Sequence, residues 1–114
     1  MSESEGFFER VWDVVARIPS GRVTTYGRIA EHLQDTAARG TRSSARAVGW
    51  ALSAASGAGL PCHRVVNRSG ALSGRRRFEG PHVMEERLRA EGVTFGEDGC
   101  VALDKHLWDP AEAS

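Results

Sequence analysis

The sequence predicts a mainly α-helical domain with a small β-hairpin near its C-terminus. Three observations predict it. Residues 6–18 repeat apolar side chains at helical spacing. Residues 24–55 hold two shorter segments of the same kind, each preceded by a hydroxyl residue able to cap a helix. Residues 93–103 place apolar and β-branched residues on either side of the turn sequence Gly96-Glu97-Asp98-Gly99.

In order along the chain, Phe7, Val11, Trp12, Val14, Val15 and Ile18 fall on one broad side of the first helix. Glu9 and Asp13 lie toward its start and Arg17 at its end, as the helix dipole prefers, and Pro19-Ser20-Gly21 ends it. Val23-Thr24-Thr25 is β-branched and extended. Thr24 or Thr25 caps a helix from about Tyr26 to Leu33, with Ile29, Ala30 and Leu33 inward. A looser segment runs to Arg42. Ser43 or Ser44 then caps a helix from about Ala45 to Ala55, with Val48 and Leu52 inward and small residues (Ala45, Ala47, Gly49, Ala51) that allow close approach to another surface. Trp50 is assigned to the core on its helical spacing. Two helices joined in this way read as a helix-turn-helix. Ser56 to Gly59 form a connector, Val65-Val66 a short strand and Asn67-Arg68-Ser69-Gly70 a turn. Pro81 opens a further helix to Glu91, with Val83, Leu88 and Met84 inward, and Gly92 closes it. The hairpin follows, and Leu107-Trp108-Asp109-Pro110 packs the tail down. There is no internal repeat, and one domain spanning residues 1–114 is expected, with 1–5 and 111–114 frayed.

At 40% hydrophobic and 26% charged residues the composition argues against disorder. No apolar run approaches a membrane span, and the acidic start Met1-Ser2-Glu3-Ser4-Glu5 lacks a signal peptide's basic and apolar regions. A cytoplasmic location follows as an expectation, with Cys62 and Cys100 as free thiols. Two cysteines without CxxC spacing make a poor zinc site. The net charge of zero hides an asymmetry. From Thr36 to Phe78 there is no Asp or Glu, while the stretch holds eight arginines: Arg39, Arg42, Arg46, Arg64, Arg68, Arg75, Arg76 and Arg77. All fifteen acids lie outside it. Such a middle is suited to a polyanion, and arginine in place of lysine suits planar contacts with phosphates and bases. The plainer reading is a solvated arginine face paired with acids from the two ends.

The stretch with chemical content is Leu60-Pro61-Cys62-His63-Arg64-Val65-Val66-Asn67. Pro61 fixes its own φ and restricts Leu60, so the backbone reaches Cys62 in a defined direction. Cys62 is a candidate nucleophile, since a thiol beside a base or in an electropositive setting ionises readily. The plainer reading is a small buried hydrophobe, because adjacency of Cys and His in sequence is not a catalytic pair in space.

Taken together, Thr25-Tyr26-Gly27, Ala45-Arg46-Ala47-Val48-Gly49 and Pro61-Cys62-His63-Arg64-Val65-Val66 resemble, in this order, the DNA-binding domain of the O6-alkylguanine-DNA alkyltransferases, from about Phe7 to Glu91. The connector before Pro61, Asn67, the Glu91-Gly92-Val93-Thr94-Phe95 segment and the Trp108-Asp109-Pro110 tail look like the alkyltransferase-like proteins, small lesion binders that typically carry Trp or Ala where this chain has Cys62. The resemblance implies a winged helix-turn-helix-like DNA-binding domain, acting as a monomer on double-stranded DNA containing O6-alkylguanine, with no cofactor and no metal. It implies that Arg46 fills the space left by a flipped guanine from a helix in the minor groove. Tyr26 helps rotate the nucleotide, and Cys62 accepts the alkyl group. His63 draws the thiol proton through a water, and Glu91 orients His63. Arg75 lies over the lesion pocket, and Arg42, Ser44, Ala45 and Gly49 belong with the DNA-contacting set. Arg64 is structural. Active alkyltransferases typically have an Asn about where this chain reads Ala54 to Gly57, and that departure bears on the geometry of the active-site turn.

Three functions stay open at this point. The first is transfer of the alkyl group irreversibly to Cys62, once per molecule. The second is non-enzymatic sensing of the lesion for nucleotide excision repair proteins. The third, disfavoured by the cysteine motif, is a helix-turn-helix transcription regulator. The first two share fold and pocket and differ in whether Cys62 ionises near neutral pH; a regulator would need a dimer surface and a sequence preference.

Overall fold

A computed structural model describes residues 3–36, 44–55, 59–74, 78, 80 and 82–113. Helices α1 (Glu3–Arg17), α2 (Tyr26–Thr36) and α3 (Ala45–Ala54) pack on one another. Between α1 and α2 lies strand β1 (Thr24–Thr25), and after α3 a 3-10 turn (Cys62–Arg64) leads directly into β2 (Val65–Val66). Helices α4 (Val83–Ala90) and α5 (Leu103–His106) follow, with a last 3-10 turn at Pro110–Ala113. Among the described residues no helix is long and apolar enough to cross a membrane.

The expected apolar stripes are the ones buried. Phe7, Val11, Val14, Val15 and Ile18 meet Ile29, Ala30 and Leu33 of α2 and Val48, Ala51 and Leu52 of α3 in one core. Trp12 stays at its edge and donates its indole N–H to the Ala51 carbonyl at 2.7 Å, tying α1 to the last turn of α3. Strands β1 and β2 pair in parallel, Thr24 with Val65 and Thr25 with Val66. Successive strand side chains point to opposite faces. Val65 accordingly enters this helical core, while Val66 enters a second one built from Val23, Leu72, Met84, Leu88, Val93 and Val101. The two-residue ladder is therefore the partition between two cores, and the Cys62–Arg64 turn stands at its entrance.

The tail closes the first core. Val23 donates its N–H to His106 and accepts from the Trp108 N–H, and Trp108, 4% exposed, fills the space behind. Helix caps follow the sequence. Thr25 Oγ1 accepts from the Arg28 N–H, and Ser44 Oγ accepts from the Ala47 N–H. Asn67 builds its turn with Oδ1, which accepts from the N–H groups of Ser69 and Ala71.

Four expectations need correction. Trp50 is not in the core: it is 58% exposed. Val48 and Leu52, two residues to either side, define the inward face, so Trp50 must point away. The hairpin shrinks to a single antiparallel bridge, Phe95 with Val101. The Ala102 N–H reaches the Thr94 carbonyl, but the Thr94 N–H that would return the bond goes to His106 Nε2 at 3.0 Å, and Leu103 turns into α5 instead of extending a strand. Helix α4 begins at Val83, with His82 at its N-cap position, and Pro81 lies outside the described residues. Met84 and Leu88, at i and i+4, are its buried pair, while Val83 is only half-buried.

Candidate functional site

Pro61 shapes the approach to Cys62. Its φ of −76° and ψ of 59°, with the Cys62 N–H bonded to the Leu60 carbonyl at 2.8 Å, form an inverse γ-turn. The 3-10 turn starts at once: Arg64 N–H donates to the Pro61 carbonyl and Val65 N–H to that of Cys62. Cys62 is thus gripped by a turn on each side. It is half-buried against the helical core and forms no disulfide.

The next two residues meet one carboxylate. Glu91 is the C-cap of α4, delivered by a Schellman motif. The Gly92 N–H bonds to the Arg89 carbonyl and the Val93 N–H to that of Leu88, with Gly92 at φ +90°. Arg64 grips Glu91 with two bonds, Nε to Oε1 at 3.0 Å and Nη2 to Oε2 at 2.6 Å, and its Nη1 donates to the Ile18 carbonyl. His63 Nε2 lies 2.9 Å from Glu91 Oε2. Burial alone would raise the Glu91 carboxyl, but the hydrogen bonds from Arg64 and His63 outweigh it and hold the pKa at about 2. An ionised carboxylate only accepts, so His63 Nε2 carries the proton and Nδ1 is the bare acceptor. That Nδ1 is buried and meets no hydrogen-bond partner among the described residues. Burial lowers the His63 pKa below 6.5 despite the help of Glu91, so the ring is neutral at neutral pH. A cleft of about 600 Å³, lined by Pro61, His63, Arg64, Arg87 and Glu91, reaches this group.

The other sequence-expected residues that the structure describes lie on α2 and at the start of α3. Ser44, Ala45 and Arg46 are exposed at the start of α3, and Gly49 is half-exposed one turn on. Tyr26, first residue of α2, is half-buried against the helical core. Arg42 and Arg75 lie outside the described residues, as do Ser56 and Gly57 of the connector, Ser43, and Arg39, Arg76 and Arg77 of the basic stretch. Ala55, buried, ends α3 where the family's Asn would be near. Sequence reasoning missed Trp50 as part of this surface. The signal was available in its spacing: four residues after Arg46, it shares that residue's outward face.

Residues 6–93 match the model of the 6-O-methylguanine DNA methyltransferase DNA-binding domain. The chain belongs to that family. Within the family, it is 39% identical over 112 residues to the DNA base-flipping protein of Escherichia coli, covering 96% of this chain and 79% of that one. The crystal structure of S. pombe Atl1 in complex with damaged DNA containing O6-carboxymethylguanine superposes with a TM-score of 0.74 at 33% identity, covering 96% of this chain and all of the other. The methylated-DNA–protein-cysteine methyltransferase of Salmonella typhimurium is 41% identical over 73 residues, which is 60% of this chain and 37% of that enzyme.

Proposed function

We propose that this protein repairs DNA by turning O6-alkylguanine out of the duplex and taking its alkyl group onto Cys62. The observation that carries the reading is the His63–Glu91–Arg64 group beside Cys62. Arg64 keeps Glu91 ionised, Glu91 fixes the His63 tautomer, and the bare Nδ1 is left to take a proton. The Cys62 S–H proton passes to Nδ1 through a water. The thiolate attacks the O6-alkyl carbon, a C–S bond forms and the C–O bond breaks. Its electron pair returns to guanine, which takes up a proton from water. A thioether does not revert, so each molecule reacts once.

The target carbon is hidden inside a base pair, so the nucleotide must be extruded. Arg46 on the outward face of α3 fills the gap, Tyr26 guides the rotated base, and Ser44, Ala45 and Gly49 let the helix approach the groove. The reaction needs Cys62 as a free thiol, which suits the reducing cytoplasm.

A second reading has its own support. The similarity to a DNA base-flipping protein and to Atl1 runs over 96% of the chain, against 60% for the methyltransferase. On that reading the protein marks the lesion for excision repair proteins and Cys62 stays unmodified. Intact-protein mass spectrometry after incubation with an O6-methylguanine duplex separates the two. A gain of one methyl, absent in Cys62→Ala, is the expected result. Tight binding with no gain would overturn transfer in favour of sensing, and no preference for the damaged duplex would overturn both.

A further inference from the structure

Arg46 and Trp50 sit one turn apart on the outward face of α3, and the Arg46 guanidinium lies over the Trp50 ring, 5.4 Å from its centroid. Trp50 is the large hydrophobic side chain that the described residues leave in solvent, 58% exposed, while Trp108 is buried and Trp12 is half-buried and bonded to Ala51. A tryptophan held outside both cores, with a cation over its face, contributes nothing to packing that the cores need. A guanidinium within about 6 Å of an indole centroid is attracted by the ring's quadrupole. A guanidinium held over a ring face still has N–H donors free for a ligand.

A free arginine at this position samples many rotamers, and binding must freeze them. The backbone beneath Arg46 is already fixed by the Ser44 cap. We propose that Trp50 is a positioning residue for Arg46: it holds the guanidinium over its ring on the outward face of α3 before DNA arrives, and keeps it so in the complex. The inference rests on the proposed function, in which α3 meets DNA and Arg46 enters the space of the flipped base.

The test is a double-mutant cycle on Trp50→Ala and Arg46→Ala, with Trp50→Phe as the conservative variant, read as affinity for matched O6-methylguanine and undamaged duplexes. Trp50→Ala is expected to weaken binding roughly two- to fivefold, the ratio that corresponds to an exposed cation–π contact. Trp50→Phe should recover most of the loss, and Trp50→Ala should have no further effect in the Arg46→Ala background. Unchanged or tighter binding by Trp50→Ala overturns the inference. An equal loss in the Arg46→Ala background does so too, since Trp50 would then touch DNA on its own account. A DNA-free readout runs alongside: Arg46→Ala should increase acrylamide quenching of tryptophan emission by uncovering Trp50, and no increase counts against the stack. Should wild type bind both duplexes alike, the lesion reading falls, while the cycle on undamaged DNA and the quenching still decide for or against Trp50.

Discussion

His63 is the middle residue of the Cys62–Arg64 turn and bonds the Glu91 carboxylate through Nε2, which leaves Nδ1 as the atom that can take a proton. Burial depresses its pKa below 6.5. The neutral base is therefore fully present above the unfolded value and is lost as pH falls through the lower folded value. Single-turnover transfer followed by mass spectrometry is expected to lose nothing to His63 protonation from pH 8 down to about pH 6.5, and to lose rate only below that. A loss through His63 that already begins above pH 7 would mean a raised pKa, with Glu91 outweighing burial. Glu91 gives a separate acid signature. Its folded pKa of about 2 against 4.5 unfolded makes its stabilisation complete above 4.5 and lost as pH falls toward 2. With its side chain only 17% exposed, the loss between pH 5 and pH 3 is roughly 2 kcal/mol. Urea unfolding at the two pH values should show it in wild type and show little of it in Glu91→Gln. That variant should also be weaker at pH 7, by about 3 kcal/mol, because Arg64 is left buried without its anion.

At the scale of elements, the site depends on how two of them stop. Helix α4 must end at Glu91, and Gly92 ends it by adopting φ +90° in open space. Gly92→Ala therefore carries only the left-handed backbone cost, about 1 to 2 kcal/mol. Gly70 has a similar φ of +86°, but a Cβ there would lie 2.6 Å from the Val101 carbonyl oxygen, the residue that its own carbonyl anchors. Thermal unfolding should rank Gly70→Ala clearly below Gly92→Ala. Equal melting temperatures would mean that the Asn67–Ala71 turn gives way easily and does not hold the Phe95–Val101 bridge. The same elements explain what could be read from sequence. Helix periods, the Ser44 and Thr25 caps and the Gly92 stop are local chemistry, so they are visible in a string of letters. The hairpin's truncation depends on Leu103 turning into α5, which brings His106 Nε2 to the Thr94 N–H from 12 positions away, and no local pattern displays that.

At the scale of the molecule, one ladder divides two cores and sets the Cys62–Arg64 turn at its start, while the basic residues gather in the middle of the chain. The Cys62-His63-Arg64 string was legible as chemistry, but Arg64 as the clamp on Glu91 was not, because the pairing closes a 27-residue separation in space. Trp50 was misplaced for a different reason: its helical spacing was read toward the core, whereas Val48 and Leu52, two residues to either side, turn it onto the outward face that Arg46 shares. That clamp also alters the charge available for DNA. Of the eight arginines in the acid-free stretch, Arg64 is committed to Glu91, leaving seven. If four of these each neutralise a phosphate, log K falls with log salt at a slope of about −3.6. Fluorescence titration of a short duplex from 50 to 200 mM salt (roughly the range where such slopes are read) checks it. Arg46→Ala makes the decisive comparison. An arginine that fills the space of an extruded base releases no counterion, so affinity should drop at every salt concentration while the slope stays put. A slope that flattens by about 0.9 would instead assign Arg46 to a phosphate, and would remove it from the base-flipping role.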